Sequence, residues 1–289
     1  MLYSHEVRDW KQAVDQIVCG DCLDTISLLP DKSVDVCITS PPYWQQRDYG
    51  YNGQIGQEKS LSDYIYTLVS FFNCVKRVLK DDGTLWVNIG DCFNENTGGY
   101  FDNENNDAPS IGKHRIKTQK YQKNLPRRSL LMIPYRFSIE MIDTGGWFCR
   151  NHIIWRKKVV QPTTAKNRFT IDYEPIFMFS KKQRYFFDKE KVKYINDANI
   201  FGDFKERRSV WDLSTEHSCK IQHSAPYPEE VINVIVDATC RKGSMIFDPF
   251  MGSGTSAVVA KKKGFSFFGG DKGEDICKKA ESRLSSIKF

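Results

Sequence analysis

The block from residue 244 to 271 limits the fold more than any other stretch. It reads Ser244-Met245-Ile246-Phe247, then Asp248-Pro249-Phe250-Met251-Gly252-Ser253-Gly254-Thr255, a helix-length run from 256 to 263, and Phe265 to Phe268 ending at Gly269-Gly270-Asp271. Two short apolar runs separated by a helix-length stretch predict a strand, a crossover helix and a second, parallel strand. Gly252 and Gly254 fall at the turn from strand to helix, where residues without a side chain permit tight chain reversal and close approach of a ligand to the backbone. Asp271 stands 19 residues after Gly252, at the end of the second strand, where a carboxylate accepts hydrogen bonds from ribose hydroxyls. The unit therefore predicts nucleoside binding.

With Ala257 the glycines also match G-x-G-x-x-A, so an NAD-dependent dehydrogenase has to be weighed. Only 18 residues follow Asp271, too few for the rest of a dinucleotide fold in its usual order. Asp248 and Phe250 also place an acid and an aromatic ring where a pyrophosphate prefers bare N–H groups. A cofactor with a sulfonium and an amino-acid moiety suits that acid better. No G-K-[ST] follows the glycines, which disfavours P-loop chemistry.

A second anchor is Thr39-Ser40-Pro41-Pro42-Tyr43-Trp44, which follows the apolar run 34–38. That run predicts a short buried strand, so the loop lies at its carboxyl end, the edge of an open α/β sheet where ligands bind. Consecutive prolines lack N–H groups and hold φ near about −65°, leaving stiff carbonyls and the Ser40 hydroxyl as fixed acceptors beside two aromatic faces. Such a loop suits a planar group bearing N–H donors, such as the amino edge of a nucleobase. Taken alone, the same residues also describe a Pro-Pro turn with two partly buried aromatics.

Elsewhere the pattern predicts a leading helix or arm over 5–16, a strand over 16–19 and a helix from about 20 to 29, with Asp21 as N-cap or ligand acceptor. A helix is expected over 61–79, capped by Ser60 or Ser62 and stopped by Lys80-Asp81-Asp82-Gly83, then a strand over 84–89. Further on come a helix over 129–142, a strand over 147–155, short strands at 175–180 and 185–187, and a helix over 227–239. The expected fold class is α/β, a Rossmann-like, mostly parallel, doubly wound sheet with a small recognition extension. The expected division is a catalytic half over 1–93, a long, mobile, DNA-contacting loop over 94–128, a continuation of the main domain over 129–158, a target-recognition region over 159–212 and a cofactor-binding half over 213–289.

The formal charge of +6 is modest, but the basic residues are clustered. From Lys113 to Arg128 there are seven Lys or Arg and no acid, and a second group comprises Arg156, Lys157, Lys158, Lys166 and Arg168. Clusters of this kind are the footprint of phosphate-backbone binding, or of a solvated basic face. The nine scattered cysteines read as reduced cytosolic thiols, and Cys19-x-x-Cys22 has no second pair to complete a metal site. No apolar run reaches the roughly 18 residues of a membrane span and the N-terminus is charged, so a cytoplasmic protein is expected.

The pieces GDCLD (20–24), TSPPYW (39–44), LKDDGTLWVNIGD (79–91), GWFCRNHIIWRK (146–157), HSAPYPEEVI (223–232), DPFMGSGT (248–255) and FFGGD (267–271) follow one another along nearly the whole chain. In type and order they resemble the β-group, SPPY-motif DNA amino-methyltransferases of restriction-modification systems. The resemblance implies that Asp248, Phe250, Gly252, Ser253, Gly254 and Thr255 hold the methionine part of S-adenosylmethionine. Asp271 takes the ribose, Asp21 and Cys22 lie near the adenine, Ser40 borders the cofactor, and His223 closes the pocket. Many relatives carry Glu where this chain has Asp271.

The implied reaction is methyl transfer to an exocyclic amino nitrogen of a base flipped out of duplex DNA, with Ser40, Pro41, Pro42 and Tyr43 as the catalytic loop. Trp44, Arg47, Lys117, Lys120, Lys123, Arg127, Arg156, Lys158, Lys166 and Arg168 are the candidate DNA contacts. Cytosine-5 chemistry is disfavoured because the chain contains no Pro-Cys. In the family, Ser at position 40 leans toward cytosine N4, with adenine N6 as the alternative. A catalytically inactive DNA-binding protein and a small-molecule or RNA methyltransferase are the readings of other classes. The family also implies a separate cognate restriction endonuclease and a monomer or homodimer.

Overall fold

A nine-stranded sheet, wrapped by helices on both faces, carries the chain. The computed structural model describes residues 1–94, 122–160, 163, 165–195, 204–213 and 228–287. In chain order the elements are β1 (Leu2–Tyr3), β2 (Ile17–Cys19), α1 (Cys22–Ser27), β3 (Val34–Thr39), α2 (Leu61–Val78), β4 (Leu79–Asn88), α3 (Ile133–Asp143), β5 (Phe148–Lys157) and β6 (Tyr173–Ser180). After the short pair β7 (Tyr194–Ile195) and β8 (Phe204–Lys205) come β9 (Val210–Leu213), α4 (Glu229–Thr239), β10 (Met245–Asp248), α5 (Thr255–Lys263), β11 (Ser266–Asp271) and α6 (Glu274–Ser285). The sheet order is β1-β2-β11-β10-β3-β4-β6-β5-β9. All neighbours are parallel except where β6 pairs antiparallel with β4 and β5.

The period-2 alternation of strand side chains divides the core into two layers. Val34, Cys37, Leu85, Val87, Phe177 and Phe179 join the buried faces of α1, α2 and α3. Val36, Ile38, Trp86, Ile176 and Met178 turn the other way, into the core built with α4, α5 and α6. The chain leaves β3 toward β4 on one side and β10 toward β11 on the other, so the winding reverses between β3 and β10. A crevice opens outside the carboxyl ends of the strands at such a switch point.

Several expectations change in the structure. The Lys80–Gly83 segment does not stop α2 before a loop: it is already part of β4, and α2 passes straight into the strand. The break occurs there because the Lys181 ammonium, arriving from the end of β6, donates to the carbonyls of Lys76 and Leu79 and satisfies the helix terminus. The start of α2 is as expected, with the Ser60 side chain accepting the Asp63 N–H. Residues 173–180, expected in a peripheral extension, form a central strand, because their apolar side chains are buried on both faces. The expected strand at 185–187 is irregular chain pinned by the Phe186 N–H to the Asp82 carbonyl. The leading segment forms β1 and two short 3-10 turns rather than a helix.

Phe72 of α2 is fully buried, with ring centroids 5.5 Å from Phe71 and from Phe137 of α3. Phe72→Ala is expected to lower stability by about 3–5 kcal/mol, read from urea unfolding, because the cavity cannot collapse between two helices and a sheet.

Candidate active site

The crevice is built from the ends of two adjacent parallel strands. Asp248, the last residue of β10, is 1% exposed and accepts hydrogen bonds from Thr39 Oγ1 at 2.7 Å, from Ser256 Oγ and from the Phe250 N–H at 3.2 Å. The carboxylate expected to meet the methionine moiety is therefore given to protein donors, and its task is to weld β10 to β3 and shape the turn. Thr255 is likewise buried and its hydroxyl accepts from Arg283, which also pairs with Glu229. Its role is to anchor the start of α5. Phe250 is half-buried against Phe71, at a centroid distance of 5.1 Å.

What the turn offers a ligand is backbone and one hydroxyl. Gly252 and Gly254 adopt φ of +52° and +80°, and a side chain at Gly254 would also press on Ala280, with a Cβ 3.0 Å from that methyl. Ser253 Oγ is buried without a hydrogen-bond partner, which fits a polar group supplied by a bound molecule. Asp271, at the end of β11, accepts the N–H groups of Gly252 at 3.0 Å and Gly273 at 3.1 Å. Burial pushes its carboxyl above the usual carboxylate range, against the pull of those N–H donors.

Beside Asp271 an open cleft of about 840 Å³ is lined by Tyr3, Cys19, Gly20, Asp21, Tyr51 and Lys272, among others. Its size suits a nucleoside. Asp21 is the N-cap of α1, accepting the Leu23 N–H at 2.9 Å, and the residue forms part of the cleft wall. Burial works to raise its pKa, but the Leu23 N–H and the Lys272 ammonium outweigh that and hold it below the ordinary range. Cys22 turns its thiol onto Asp21 at 3.8 Å, and burial pushes that thiol up to about 12. Lys272 also donates to the Asn52 carbonyl at 2.8 Å, tying the 45–60 loop over the cleft.

On the β3 side, Ser40 and Tyr43 are half-buried and Pro41 is buried. The Pro42 carbonyl accepts the Tyr64 hydroxyl at 2.8 Å, which fixes the loop from beneath. The Tyr43 hydroxyl donates to Glu174 Oε2 at 2.8 Å and lies 3.5 Å from Ser40 Oγ, while Lys157 Nζ binds Glu174 Oε1 at 2.5 Å. Burial, with the Glu174 carboxylate beside it, pushes the Tyr43 phenol well above its usual range. Gly90 makes room for the ring: a Cβ there would come within 2.5 Å of Tyr43 Cε2. Trp44, expected to contact DNA, is instead 1% exposed and donates its indole N–H to the Glu58 carbonyl at 3.3 Å, so it is a core residue holding the loop.

The candidate DNA contacts fall into separate groups. Arg47 is half-buried in the 45–60 loop, and Lys123, Arg127, Lys158 and Lys166 are exposed. Arg168 is exposed and lays its guanidinium 3.9 Å from the Phe93 ring centroid. Arg156 is paired with Asp212 across β5 and β9. Lys117, Lys120 and His223 lie outside the described residues. Sequence reasoning missed Glu174, Asn88, Gly90 and Lys272. The one available signal was Glu174, a lone acid at the head of the apolar run Tyr173–Ser180.

The DNA methylase family model matches residues 34–282. Over 270 residues the chain is 36% identical to the type II methyltransferase M.SmaI of Serratia marcescens, covering 93% of this chain and 90% of that protein. It is 37% identical over 250 residues to the type II methyltransferase M.Cfr9I of Citrobacter freundii, covering 86% and 81%. Among solved structures, the PvuII DNA methyltransferase, described as cytosine-N4-specific, matches with a TM-score of 0.69 at 22% identity, covering 94% of this chain and 87% of that one. The M1.HpyAVI complex with S-adenosylmethionine matches with a TM-score of 0.58 at 16% identity, covering 93% and 99%. At these identities the structural likeness speaks to the fold.

Gly90→Ala is expected to displace the Tyr43 ring and lower turnover by about 100-fold while leaving cofactor affinity unchanged, measured by single-turnover assay and calorimetry. The ribose role expected of Asp271 needs the carboxylate form, and its raised pKa means protonation begins at a higher pH than for an ordinary aspartate near about 4. Calorimetric titration across pH should therefore show S-adenosylmethionine affinity falling on acidification before exposed aspartates titrate, and Asp271→Asn should remove that step.

Proposed function

We propose that this chain, which belongs to the DNA methylase family, transfers a methyl group from S-adenosylmethionine to the exocyclic N4 of cytosine in duplex DNA. The observation that carries the proposal is the juxtaposition at the switch point. The Ser40–Tyr43 loop and the Gly252–Gly254 turn leave adjacent strands whose ends are joined by the Thr39–Asp248 hydrogen bond. A base held by the first loop and a cofactor held by the second would meet there.

S-adenosylmethionine, when bound, would supply a methyl group on a sulfonium: the amino nitrogen would take it as the C–S bond breaks, sulfur would keep the pair as a thioether, and one amino proton would pass to water. The chain's own residues position and orient. Ser253, Asp271 and Asp21 supply polar partners for the cofactor, and the glycine turn supplies backbone. Ser40 and the Pro41 carbonyl accept the amino hydrogens, which turns the nitrogen lone pair toward the methyl group, and the Tyr43 ring offers a face to the flipped base. Stacking of that kind is worth about 1–3 kcal/mol and offsets part of the cost of leaving the duplex.

Cytosine N4 is favoured over adenine N6 by Ser40 at the first loop position and by the likeness to the cytosine-N4-specific PvuII enzyme. Exposed Lys123, Lys158 and Lys166 serve the phosphate backbone, and the segment 159–212 outside β6 and β9 serves recognition. The type II relatives support a restriction-modification role with a separate endonuclease. Among the described residues no helix is long and apolar enough to cross a membrane.

The test is mass spectrometry of nucleosides from DNA of varied sequence treated with the enzyme and isotopically labelled S-adenosylmethionine. Labelled N4-methylcytosine is expected, and Ser40→Ala should abolish it without loss of cofactor binding. Labelled N6-methyladenine would replace the base assignment, and no label in any DNA would overturn the substrate class.

A further inference from the structure

A serine hydroxyl donates and accepts alike, whereas an amino group awaiting a methyl presents N–H donors and needs an acceptor. What matters at Ser40 is therefore where its own proton goes, and the groups behind it decide this. Ser40 Oγ is 3.5 Å from the Tyr43 hydroxyl, which is 2.8 Å from Glu174 Oε2. Lys157 occupies the other carboxylate oxygen at 2.5 Å. A carboxylate in an ion pair only accepts, so the single phenol proton goes to Glu174. The Tyr43 oxygen is then the acceptor for Ser40, and Ser40 keeps its lone pairs for an incoming N–H. Asn88 enforces the same sense: its Nδ2 donates to the Pro175 carbonyl at 3.1 Å, so the amide presents oxygen, not nitrogen, 3.2 Å from the Tyr43 hydroxyl.

We propose that Glu174 is a positioning residue that sets the direction of the Ser40–Tyr43–Glu174 hydrogen-bond chain and so makes Ser40 an acceptor for the target amino group. The inference rests on the methyl-transfer reading above and deepens it: a neutral serine gains the one-way character that a carboxylate would have by itself. It applies equally to cytosine N4 and adenine N6. Glu174 comes from β6 and Lys157 from β5, so the antiparallel part of the sheet reaches into the chemistry of a loop attached to its parallel part.

The test is a cycle of variants assayed for kcat with labelled S-adenosylmethionine and duplex DNA, with cofactor affinity and thermal melting followed in each. Because Asn88 Oδ1 is a second acceptor for the phenol proton, Glu174→Gln is made in an Asn88→Ala background: Lys157 retains the amide oxygen, the amide N–H group turns to Tyr43, and the chain reverses, so kcat falls about 100-fold relative to Asn88→Ala at unchanged cofactor affinity. Adding Lys157→Met frees the amide to present its oxygen to Tyr43, and kcat recovers by about ten-fold or more. In a Tyr43→Phe background, Glu174→Gln adds no further loss, because the link is already cut. Recovery on removing a lysine is not expected of a residue that only packs. No loss on adding Glu174→Gln to Asn88→Ala, equal losses with and without Lys157→Met, or additive losses with Tyr43→Phe would each overturn the inference alone. Absence of label with the wild-type enzyme would overturn the methyl-transfer reading and the inference with it.

Discussion

One buried hydrogen bond, from Thr39 to Asp248, joins residues 209 positions apart, and the site is built outward from it. A carboxylate withdrawn from water is costly unless its oxygens are supplied with donors, and here Thr39, Ser256 and the Phe250 N–H supply them. Removing any of these donors leaves a buried anion short of a partner, so the arrangement is held firmly. Its consequence is positional. Thr39 is the residue before Ser40 and Asp248 opens the glycine turn, so the loop proposed to hold the base and the turn proposed to hold the cofactor are fixed to the same point.

The acids around this weld differ in task because they differ in surroundings. Asp248 is consumed by structure. Asp271 is drawn up by burial and keeps two backbone N–H partners, while Asp21 is drawn down by an N-cap bond and the Lys272 ammonium despite its burial. Glu174 faces a phenol on one oxygen and an ammonium on the other. Four carboxylates of similar intrinsic chemistry thus become a weld, a brace for the glycine turn, a cleft wall and a link between a phenol and an ammonium. The division follows from which donors the fold delivers to each.

Aromatic residues divide in the same way. Tyr43 and Trp44 are adjacent, yet Gly90 leaves space over Tyr43 whereas Trp44 is enclosed and bonded to Glu58. The neighbouring 45–60 loop is held at both ends of the crevice, by Trp44 near the Ser40–Tyr43 turn and by Lys272 near the cleft. The cleft proposed for the cofactor and the loop proposed for the base therefore share one covering segment.

Local pattern was enough to place β3, α2, α4, β10, α5 and β11, because periodicity, caps and turn glycines act within a few residues. It also located the Ser40 loop and the Gly252–Gly254 turn at strand ends, which is where such residues carry chemistry. Pattern could not show that residues 173–180 enter the middle of the sheet, since an apolar run reads alike at the edge and the centre. Nor could it show that Trp44 is buried, that Asp248 is spent on Thr39, or that Glu174 reaches Tyr43. Each of these depends on strands distant in sequence arriving side by side. Most strands and helices, and the placing of both motifs at strand ends, are properties of neighbours along the chain, and the sequence by itself determined them. Burial and hydrogen-bond partnership are properties of neighbours in space, and only the tertiary structure decided which acid walls the cleft, which one welds two strands and which one meets Tyr43.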